Sequence, residues 1–406
     1  MSLFRSEHSV FQDIEHIDLS RAIFEINLLR ILPSTLKTLR LGVVRLVRIN
    51  EMQHISHLVN LSSLDVVDCR IDGGTFLQAL EKIPSLGNLT HLSVRNYPDG
   101  EAVGVDLVRT DHFSKLTCLD LTCNAIGDKD VQSLARSHYM ANVTSLDLSW
   151  NRIGNTSMSL MAKSPYLGNL TRLILNINRL IGDEGVTELA GSTNLQRLTE
   201  LGLRGSNMTA YGLISILESE YGRCLSTLDV SYTEICHCDV SNRRGHLRRL
   251  VSSGITSLDL GHVREAFSVL SMLENIQLLS SLDLAGNNDF YRVDLARSLY
   301  FKNITNLNLN GNGIMDYRLR DLAESSNFDN LISLDLSYNA IGSDGMMFLS
   351  QSPFLSSLRY LDLRYNRITD AGAHTLTSYG FIDQLKNLNL SYNKIEDEGL
   401  ETDCIN

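Results

Sequence analysis

Aspartate recurs along this chain between two apolar residues, most often in the triplet Leu-Asp-Leu. The copies are Asp18, Asp65, Asp120, Asp147, Asp229, Asp259, Asp283, Asp335 and Asp362. On parallel strands about 4.8 Å apart, Asp120 and Asp147 would be adjacent carboxylates, as would Asp335 and Asp362. A carboxylate pair about 5 Å apart could serve a retaining glycosidase. The sequence offers no distinct acid partner, so recurrence as part of a structural repeat is the better interpretation.

Cysteine and histidine could bind a metal at one place. Cys236, His237 and Cys238 are followed by His246 and His262. A separation of one residue strains tetrahedral coordination by both cysteines. The chain also lacks a Ser-His-Asp set, a P-loop and a dinucleotide fingerprint. We therefore predict no metal, no cofactor and no catalytic residue.

The aspartates belong to a longer repeated unit, L-x-x-L-x-L-x-x-N-x-I. Clear copies occupy residues 116–126, 143–153, 331–341, 358–368 and 385–395. Weaker copies begin at Ile14, Leu36, Leu61, Leu89, Leu170, Leu198, Leu225, Ile255, Leu279 and Ile304. A period held over most of a chain is typical of repeat architectures, and these copies predict about 15 units.

Each part of the unit predicts an element. The L-x-L core alternates with period two, as a short strand with one buried face does. One such strand cannot bury its leucines alone, so successive units stack into a parallel sheet. The second half, such as IGDEGVTELA at 181–190, predicts a turn, a helix N-cap at Gly-Asp and a helix. The expected fold is an α/β solenoid bent into a horseshoe, with the parallel β-sheet on the concave face and helices on the convex face.

An asparagine follows the second strand leucine by three residues in the better units. It recurs as Asn124, Asn151, Asn178, Asn287, Asn312, Asn339, Asn366 and Asn393. Its amide can satisfy backbone groups that become free where the chain leaves the strand. Cys69, Ser206 and Thr233 occupy the same position and could serve in part, whereas Val263 could not.

We expect one solenoid domain over residues 1–406. Residues 1–60 hold short units without the asparagine and are expected to cap the array. Residues 225–303 hold units spaced by 30, 24 and 25 residues, and residues 304–400 return to a regular spacing of 27. The irregular stretch is either tolerated decay or an adapted contact site.

The unit of 27 or 28 residues with LxxLxLxxNxI and IGDEG resembles the ribonuclease-inhibitor-like class of leucine-rich repeats over residues 14–400. That resemblance implies a non-enzymatic protein–protein interaction scaffold with a protein partner. The compact array also resembles stand-alone leucine-rich-repeat effectors of intracellular bacteria, of the Legionella type, whose partners would be host proteins. Two alternatives stay open, the substrate-recognition part of a ubiquitin-ligase-type effector and a sensor fragment of an immune receptor.

Aromatic and basic side chains are expected to share the concave face with the aspartates. Aromatic residues recur at one height after the strand, and arginines at Arg95, Arg172, Arg204 and Arg364 lie against the aspartate row. The candidate partner-binding residues are Trp150, Tyr232, Tyr338, Tyr365, Tyr392, Arg172, Arg204, Arg364, Asp335 and Asp362. Tyr and Trp are favoured anchors at interfaces. Stacking between adjacent repeats is the alternative role for Tyr338, Tyr365 and Tyr392.

Composition limits the partners and the compartment. The net charge of −11 disfavours nucleic acid, and no segment approaches the ~18 apolar residues of a membrane span. The odd count of 7 cysteines predicts a reducing, cytoplasmic setting, and we expect a monomer. The acidic end, from Glu396 to Asp403, resembles translocation signals of Legionella-type effectors, which implies type IV-like export into a host cell. A basic cluster between Arg243 and Arg249 is better explained as a solvated helix face than as a contact patch.

Overall fold

The computed structural model describes residues 13–20, 26–42, 47–48, 53–68, 71–72, 80–96, 111–235, 254–263, 266, 270, 278–287 and 301–396. The chain divides into two compact units, Met1–Ser206 and Asn207–Asn406. Each unit is built from the repeat. The expectation of one domain over 1–406, with capping and irregular stretches inside it, stays a prediction.

Short parallel strands form the sheet of the first unit. They are β1 (His16–Leu19), β2 (Thr38–Leu41), β4 (Ser63–Val67), β6 (His91–Arg95), β7 (Cys118–Asp120), β8 (Ser145–Asp147), β9 (Arg172–Ile174) and β10 (Glu200–Gly202). Neighbouring strands of this unit pair in parallel, in sequence order. A second small sheet pairs β3 (Val47–Arg48) with β5 (Ile71–Asp72).

The second unit repeats this arrangement. Its strands are β11 (Thr227–Asp229), β12 (Ser257–Asp259), β13 (Ser281–Asp283), β14 (Asn306–Asn308), β15 (Ser333–Asp335), β16 (Tyr360–Asp362) and β17 (Asn387–Asn389). All pair in parallel, in sequence order. Each strand of the main sheets begins two residues after the start of a predicted unit, so the α/β repeat fold and its 15 strands are confirmed.

The helices follow the strands in the regular repeats. The described α-helices are α1 (Asp128–Arg136), α2 (Asn155–Ala162), α3 (Asp183–Ala190), α4 (Ala210–Glu218), α5 (Asp316–Ala323), α6 (Ser343–Ser350) and α7 (Asp370–Ser378). The described 3-10 helices are Ile26–Ile31, Pro84–Asn88, Asp111–Phe113, His138–Asn142, Tyr221–Arg223, Ser326–Phe328 and Phe381–Gln384. Strand leucines such as Leu334 and Leu336 are buried on the helix side together with Leu349 of α6. The aspartates therefore occupy the opposite side of the sheet, which we call the sheet face.

The helix N-cap lies at the Gly-Asp pair, as predicted. The glycine itself is the N-cap residue, as Gly182 and Gly342 are, and it offers no side-chain acceptor. The polar side chain at the first helical position instead reaches the following repeat. Asn155 Oδ1 accepts from Gly182 N at 2.9 Å, and Asp316 Oδ1 accepts from Gly342 N at 2.7 Å. The polar residue at the first helical position thus joins adjacent repeats.

The second glycine of IGDEG allows neighbouring helices to approach closely. A Cβ on Gly185 would lie 2.8 Å from Asn155 Cα and would clash with the backbone of α2. A Cβ on Gly345 would lie 2.6 Å from Asp316 Oδ1. Any larger residue would have to push the helices apart, so this glycine determines how tightly repeats stack.

The recurring asparagines form a ladder inside each unit. Asn151 Nδ2 donates to Leu121 O at 3.0 Å and to Leu148 O at 2.9 Å, and its Oδ1 accepts from Asn124 N and Ile126 N at 2.9 Å each. One side chain therefore satisfies four backbone groups from two repeats. The predicted structural role of this position is confirmed by that geometry.

The substitutes at the ladder position behave unequally. The Thr233 hydroxyl donates to Val230 O at 2.7 Å. The Ser206 hydroxyl is buried without a partner, because it is too short to span the gap that the asparagine amide bridges, so the prediction that it serves in part is wrong. Val263 is buried and apolar. Cys69 lies outside the described residues.

A second ladder, which the sequence did not reveal, runs along the strand entrances. Thr117 Oγ1 donates to Thr90 O, Thr144 Oγ1 to Thr117 O and Thr171 Oγ1 to Thr144 O, each at 3.1 Å. In the second unit Thr305 Oγ1 donates to Ser280 O in the same way. The ladder ties each repeat to the preceding one beside its strand.

Candidate binding surface

The aspartate row lies on the sheet face and has a local structural task. Asp335 Oδ1 accepts from Ser337 N at 2.8 Å and from Ser337 Oγ at 2.5 Å. Asp147 Oδ1 likewise accepts from Ser149 N at 2.9 Å and from Ser149 Oγ at 2.6 Å. These bonds hold the chain as it leaves the strand. This geometry favours the structural interpretation of the row over the glycosidase hypothesis.

The register places the carboxylates side by side as predicted. Asp120 pairs with Asp147 and Asp335 with Asp362 on neighbouring strands. In the first unit the row is interrupted at Arg40 and Ser93 and ends at Asp147, because Ile174 and Gly202 fill the last two positions.

The residue directly before the ladder position has a left-handed backbone throughout the described repeats. We call these positions the αL row. Its members are Asp68, Asn96, Cys123, Trp150, Ile177, Gly205, Tyr232, His262, Gly286, Gly311, Tyr338, Tyr365 and Tyr392, with φ between 53° and 68°. The turn aims the backbone N–H at the next repeat, as when Trp150 N donates to Asn176 O at 2.8 Å. A bulky side chain in this conformation costs about 1–2 kcal/mol.

Three tyrosines of the αL row form a continuous stack. The Tyr338 and Tyr365 ring centroids lie 4.3 Å apart at 16°, and those of Tyr365 and Tyr392 lie 4.2 Å apart at 7°. The predicted stacking is therefore real, yet the rings remain exposed, at 50% for Tyr338, 39% for Tyr365 and 69% for Tyr392. Loss of solvent around its hydroxyl, together with repulsion from neighbouring phenolates, raises the pKa of Tyr365.

The other two aromatic candidates lie apart from this stack. Tyr232 stacks on His262, with centroids 4.3 Å apart. Trp150 belongs to the first unit, where its row neighbours are Cys123 and Ile177, and its side chain is 59% exposed. The sequence therefore placed all five aromatic residues on one row, and the structure brings three of them into contact.

The four arginines expected beside the aspartate row differ in the groups that they contact. Arg95 meets the aspartate row as predicted, with Nη2 2.8 Å from Asp65 Oδ2. Arg364 Nε lies 3.3 Å from Asp362 Oδ2, and its guanidinium carbon lies 6.0 Å from the Tyr338 ring centroid. Arg172 does not meet the row, because it begins β9 and pairs with Glu200 at 3.1 Å on the next strand. Arg204 is half-buried, and its backbone N–H donates to Asn176 Oδ1 at 3.0 Å.

Several expectations fall on residues outside the described ranges. These are the metal hypothesis at Cys236 to Cys238, the basic cluster from Arg243 to Arg249, and the acidic end after Glu396. Over the described ranges, no three His, Cys, Asp or Glu side chains are placed to hold a metal ion. None of the described helices has the length and apolar character needed to cross a membrane.

Sequence reasoning missed Tyr360. It begins β16, its side chain lies on the same side of the strand as Asp362, and it is 44% exposed. The signal was available, since strand residues two apart share a face. It was overlooked because serine or another small residue fills this position in most repeats.

The αL row gives a stability prediction. We expect Trp150→Gly to raise the free energy of unfolding by about 0.5 kcal/mol, because relief of backbone strain exceeds the entropic cost of glycine. Tyr365→Gly should instead lower it by about 1 kcal/mol, because two stacking contacts are lost. Urea denaturation of both variants checks this. A gain for Tyr365→Gly with a loss for Trp150→Gly would show that stacking does not stabilise the row.

Comparison with known proteins agrees with this repeat geometry. The Leucine Rich repeat family model matches residues 114–135, 139–162, 169–190, 330–350, 354–376 and 385–402. The chain carries leucine-rich repeats. No curated protein sequence matches it.

Solved leucine-rich-repeat structures are similar to the chain at low identity. The internalin InlF of Listeria monocytogenes is 20% identical, with TM-score 0.49 and 83% of each chain covered. The functional domain of InlJ from Listeria monocytogenes is 18% identical, with TM-score 0.47, covering 97% of this chain and 72% of InlJ. TLR13, in a complex with ssRNA13, is 19% identical with TM-score 0.51 over 94% of this chain, which spans 52% of the TLR13 chain. The likeness to TLR13 concerns the fold alone.

Proposed function

We propose that this chain is a non-enzymatic scaffold that binds a protein partner on the sheet face of its leucine-rich repeats. The observation that carries this proposal is the exposed tyrosine stack. Gly286 and Gly311 occupy the same row with no steric cost, so the fold itself does not need a ring there. Tyrosines held exposed in a strained conformation are better explained by a contact that they make.

The composition of this face supports a protein partner. Tyr338, Tyr365 and Tyr392 supply rigid anchors, and Asp335, Asp362 and Arg364 supply polar contacts beside them. Such a mixed surface suits a partner that carries charges of its own. The aspartate row would repel a phosphate backbone, which disfavours nucleic acid.

The finer assignment within this proposal rests on resemblance. The sequence of the repeat supports the ribonuclease-inhibitor-like class. The compact array supports an effector of an intracellular bacterium that acts on host proteins in the cytosol. A reporter fusion that is delivered normally without residues 396–406 would count against the type IV-like export signal.

A footprint on the complex tests the binding face. The partner would be captured from host-cell lysate, identified by mass spectrometry and purified, and tyrosine labelling by hydroxyl radicals would be compared with and without it. We expect protection of Tyr338, Tyr365 and Tyr392. Tyr317 and Tyr379, which are 54% and 57% exposed, should stay reactive as matched controls. Protection confined to Tyr317 and Tyr379 would place the interface elsewhere.

A further inference from the structure

The sheet face of β15 and β16 combines exposed rings with negative charge. Tyr360 lies at the strand entrance, and Tyr338 and Tyr365 lie at the exit. Asp335 and Asp362 lie between them, in register on adjacent strands. We call these five residues the β15–β16 face. It belongs wholly to the second unit.

The charge on this face is only partly balanced within the described chain. Asp335 Oδ1 is occupied by Ser337, and no described residue donates to Asp335 Oδ2. Asp362 Oδ2 lies 3.3 Å from Arg364 Nε and 3.5 Å from Asn389 Nδ2. Two carboxylates and one guanidinium leave the face net negative.

Arg359 does not balance the remaining charge. Although it neighbours Tyr360, its Nη1 donates to Ser356 O at 3.0 Å and to Leu358 O at 2.8 Å. Its guanidinium is thereby held by backbone carbonyls at the strand entrance.

The first unit shows how the same row is neutralised by arginine. Arg95 lies 2.8 Å from Asp65 Oδ2 and 3.6 Å from Asp120 Oδ2, so one guanidinium serves two carboxylates of different repeats. Arg40 likewise lies 3.2 Å from Asp18 Oδ2 and 3.0 Å from Asp65 Oδ2. In both cases the arginine belongs to the strand that lies between the two carboxylates, so a planar, forked cation is able to pair with row carboxylates on this face.

We propose that the β15–β16 face binds a basic segment of a partner protein, in which an arginine is flanked by apolar residues. The arginine pairs with the open Oδ2 of Asp335 beside Asp362, in an ion pair of the kind that Arg95 makes with Asp65 Oδ2. The flanking apolar residues cover the Tyr360 ring and the tyrosine stack. This inference rests on the proposed function and names the chemistry of its partner.

Charge complementarity selects this occupant over a second copy of the chain. The chain carries a net charge of −11, and two copies of this face placed together would oppose carboxylate to carboxylate. A basic partner removes that repulsion and also gains from electrostatic attraction at a distance.

Replacing the row aspartates by asparagine, which other repeats already use at this position, is expected to remove the charge and keep the fold. Asn308 and Asn389 occupy the aspartate row in neighbouring repeats. Asn308 Oδ1 accepts from Asn310 N at 3.0 Å, and Asn389 Oδ1 accepts from Ser391 N at 3.1 Å. Asp335→Asn with Asp362→Asn therefore retains the local hydrogen bonds. Asp321→Asn with Asp344→Asn, on helices α5 and α6 of the same unit, is the control of equal charge change.

The test measures binding of labelled peptides to the full chain by fluorescence anisotropy. The probes are Gly-Leu-Arg-Leu-Arg-Leu-Gly and its counterparts with lysine or glutamate in place of arginine. We expect the arginine peptide to bind best and the glutamate peptide not to bind. The row variant should lose at least about tenfold in affinity for the arginine peptide, and the helix control less than about twofold. Added salt should weaken binding to the wild type more than to the row variant.

Three outcomes would overturn the inference. They are absence of arginine-peptide binding, equal binding of the glutamate peptide, and an affinity unchanged in the row variant. Self-association of the wild type that the row variant abolishes, seen by sedimentation, would assign the face to a second copy instead. If the footprint still protects Tyr338 and Tyr365 while the row variant binds normally, the proposed function stands and this inference fails.

Discussion

Asn339→Leu is expected to lower the free energy of unfolding by about 4 kcal/mol. Asn339 Nδ2 donates to Leu309 O at 3.0 Å and Leu336 O at 2.9 Å, and Oδ1 accepts from Asn312 N at 3.0 Å and Ile314 N at 2.9 Å. Leucine has a similar volume but can replace none of these bonds. Each backbone group left unpaired and shielded from water costs about 1–3 kcal/mol, and solvent near the surface offsets part of the sum.

Chemical denaturation against a matched control checks this prediction. Asn330→Leu removes a single exposed bond, from Asn330 Nδ2 to Lys302 O at 2.9 Å, and should cost less than about 1 kcal/mol. Asn151→Leu should reproduce the large loss in the first unit. Equal stability of Asn339→Leu, Asn151→Leu and Asn330→Leu would mean that the ladder is not what holds the repeats in register.

The fold could be predicted from the sequence because its rules are periodic. Leucines at fixed spacing locate every strand of the main sheets, and the invariable distance from strand to asparagine locates the ladder. These features depend on residues close in sequence or exactly one repeat apart. The same periodicity explains why the register of Asp335 with Asp362 was predicted.

The contacts of long or strained side chains could not be predicted in the same way. Arg172 reaches Glu200 because both begin their strands, whereas Arg95 reaches back to Asp65. The repeat pattern does not indicate which neighbouring carboxylate a flexible arginine side chain will contact. The positive φ of Tyr338 could not be predicted either. Residues that favour this conformation, such as glycine, occupy the αL row in only some of the repeats.

Tyr338→Ala with Tyr365→Ala is expected to fold normally and to lose about 10- to 1,000-fold in affinity for the partner. Alanine carries a Cβ as tyrosine does, so it adds no strain to a backbone that already adopts positive φ. The ladder residues Asn339 and Asn366 are unchanged. The variant removes two of the three stacked rings and leaves Tyr392 without its neighbour. Truncated aromatic anchors typically cost about 1–4 kcal/mol of binding, whereas isolated surface residues cost little.

Two controls separate the sheet face from the helix side. Tyr317→Ala with Tyr379→Ala removes two exposed tyrosines from the helix side of the same unit. Glu184→Lys with Glu188→Lys reverses charge on α3 of the first unit, where Glu188 pairs with Lys163 at 2.9 Å. Both pairs should bind the partner within about twofold of the wild type, since neither lies on the sheet face.

Titration calorimetry of the purified partner against these variants tests the central claim most directly. We predict wild-type affinity for both helix-side pairs and a large loss for the tyrosine pair of the sheet face, with all variants unfolding cooperatively. Loss of binding in a helix-side pair, with full affinity in Tyr338→Ala/Tyr365→Ala, would contradict it.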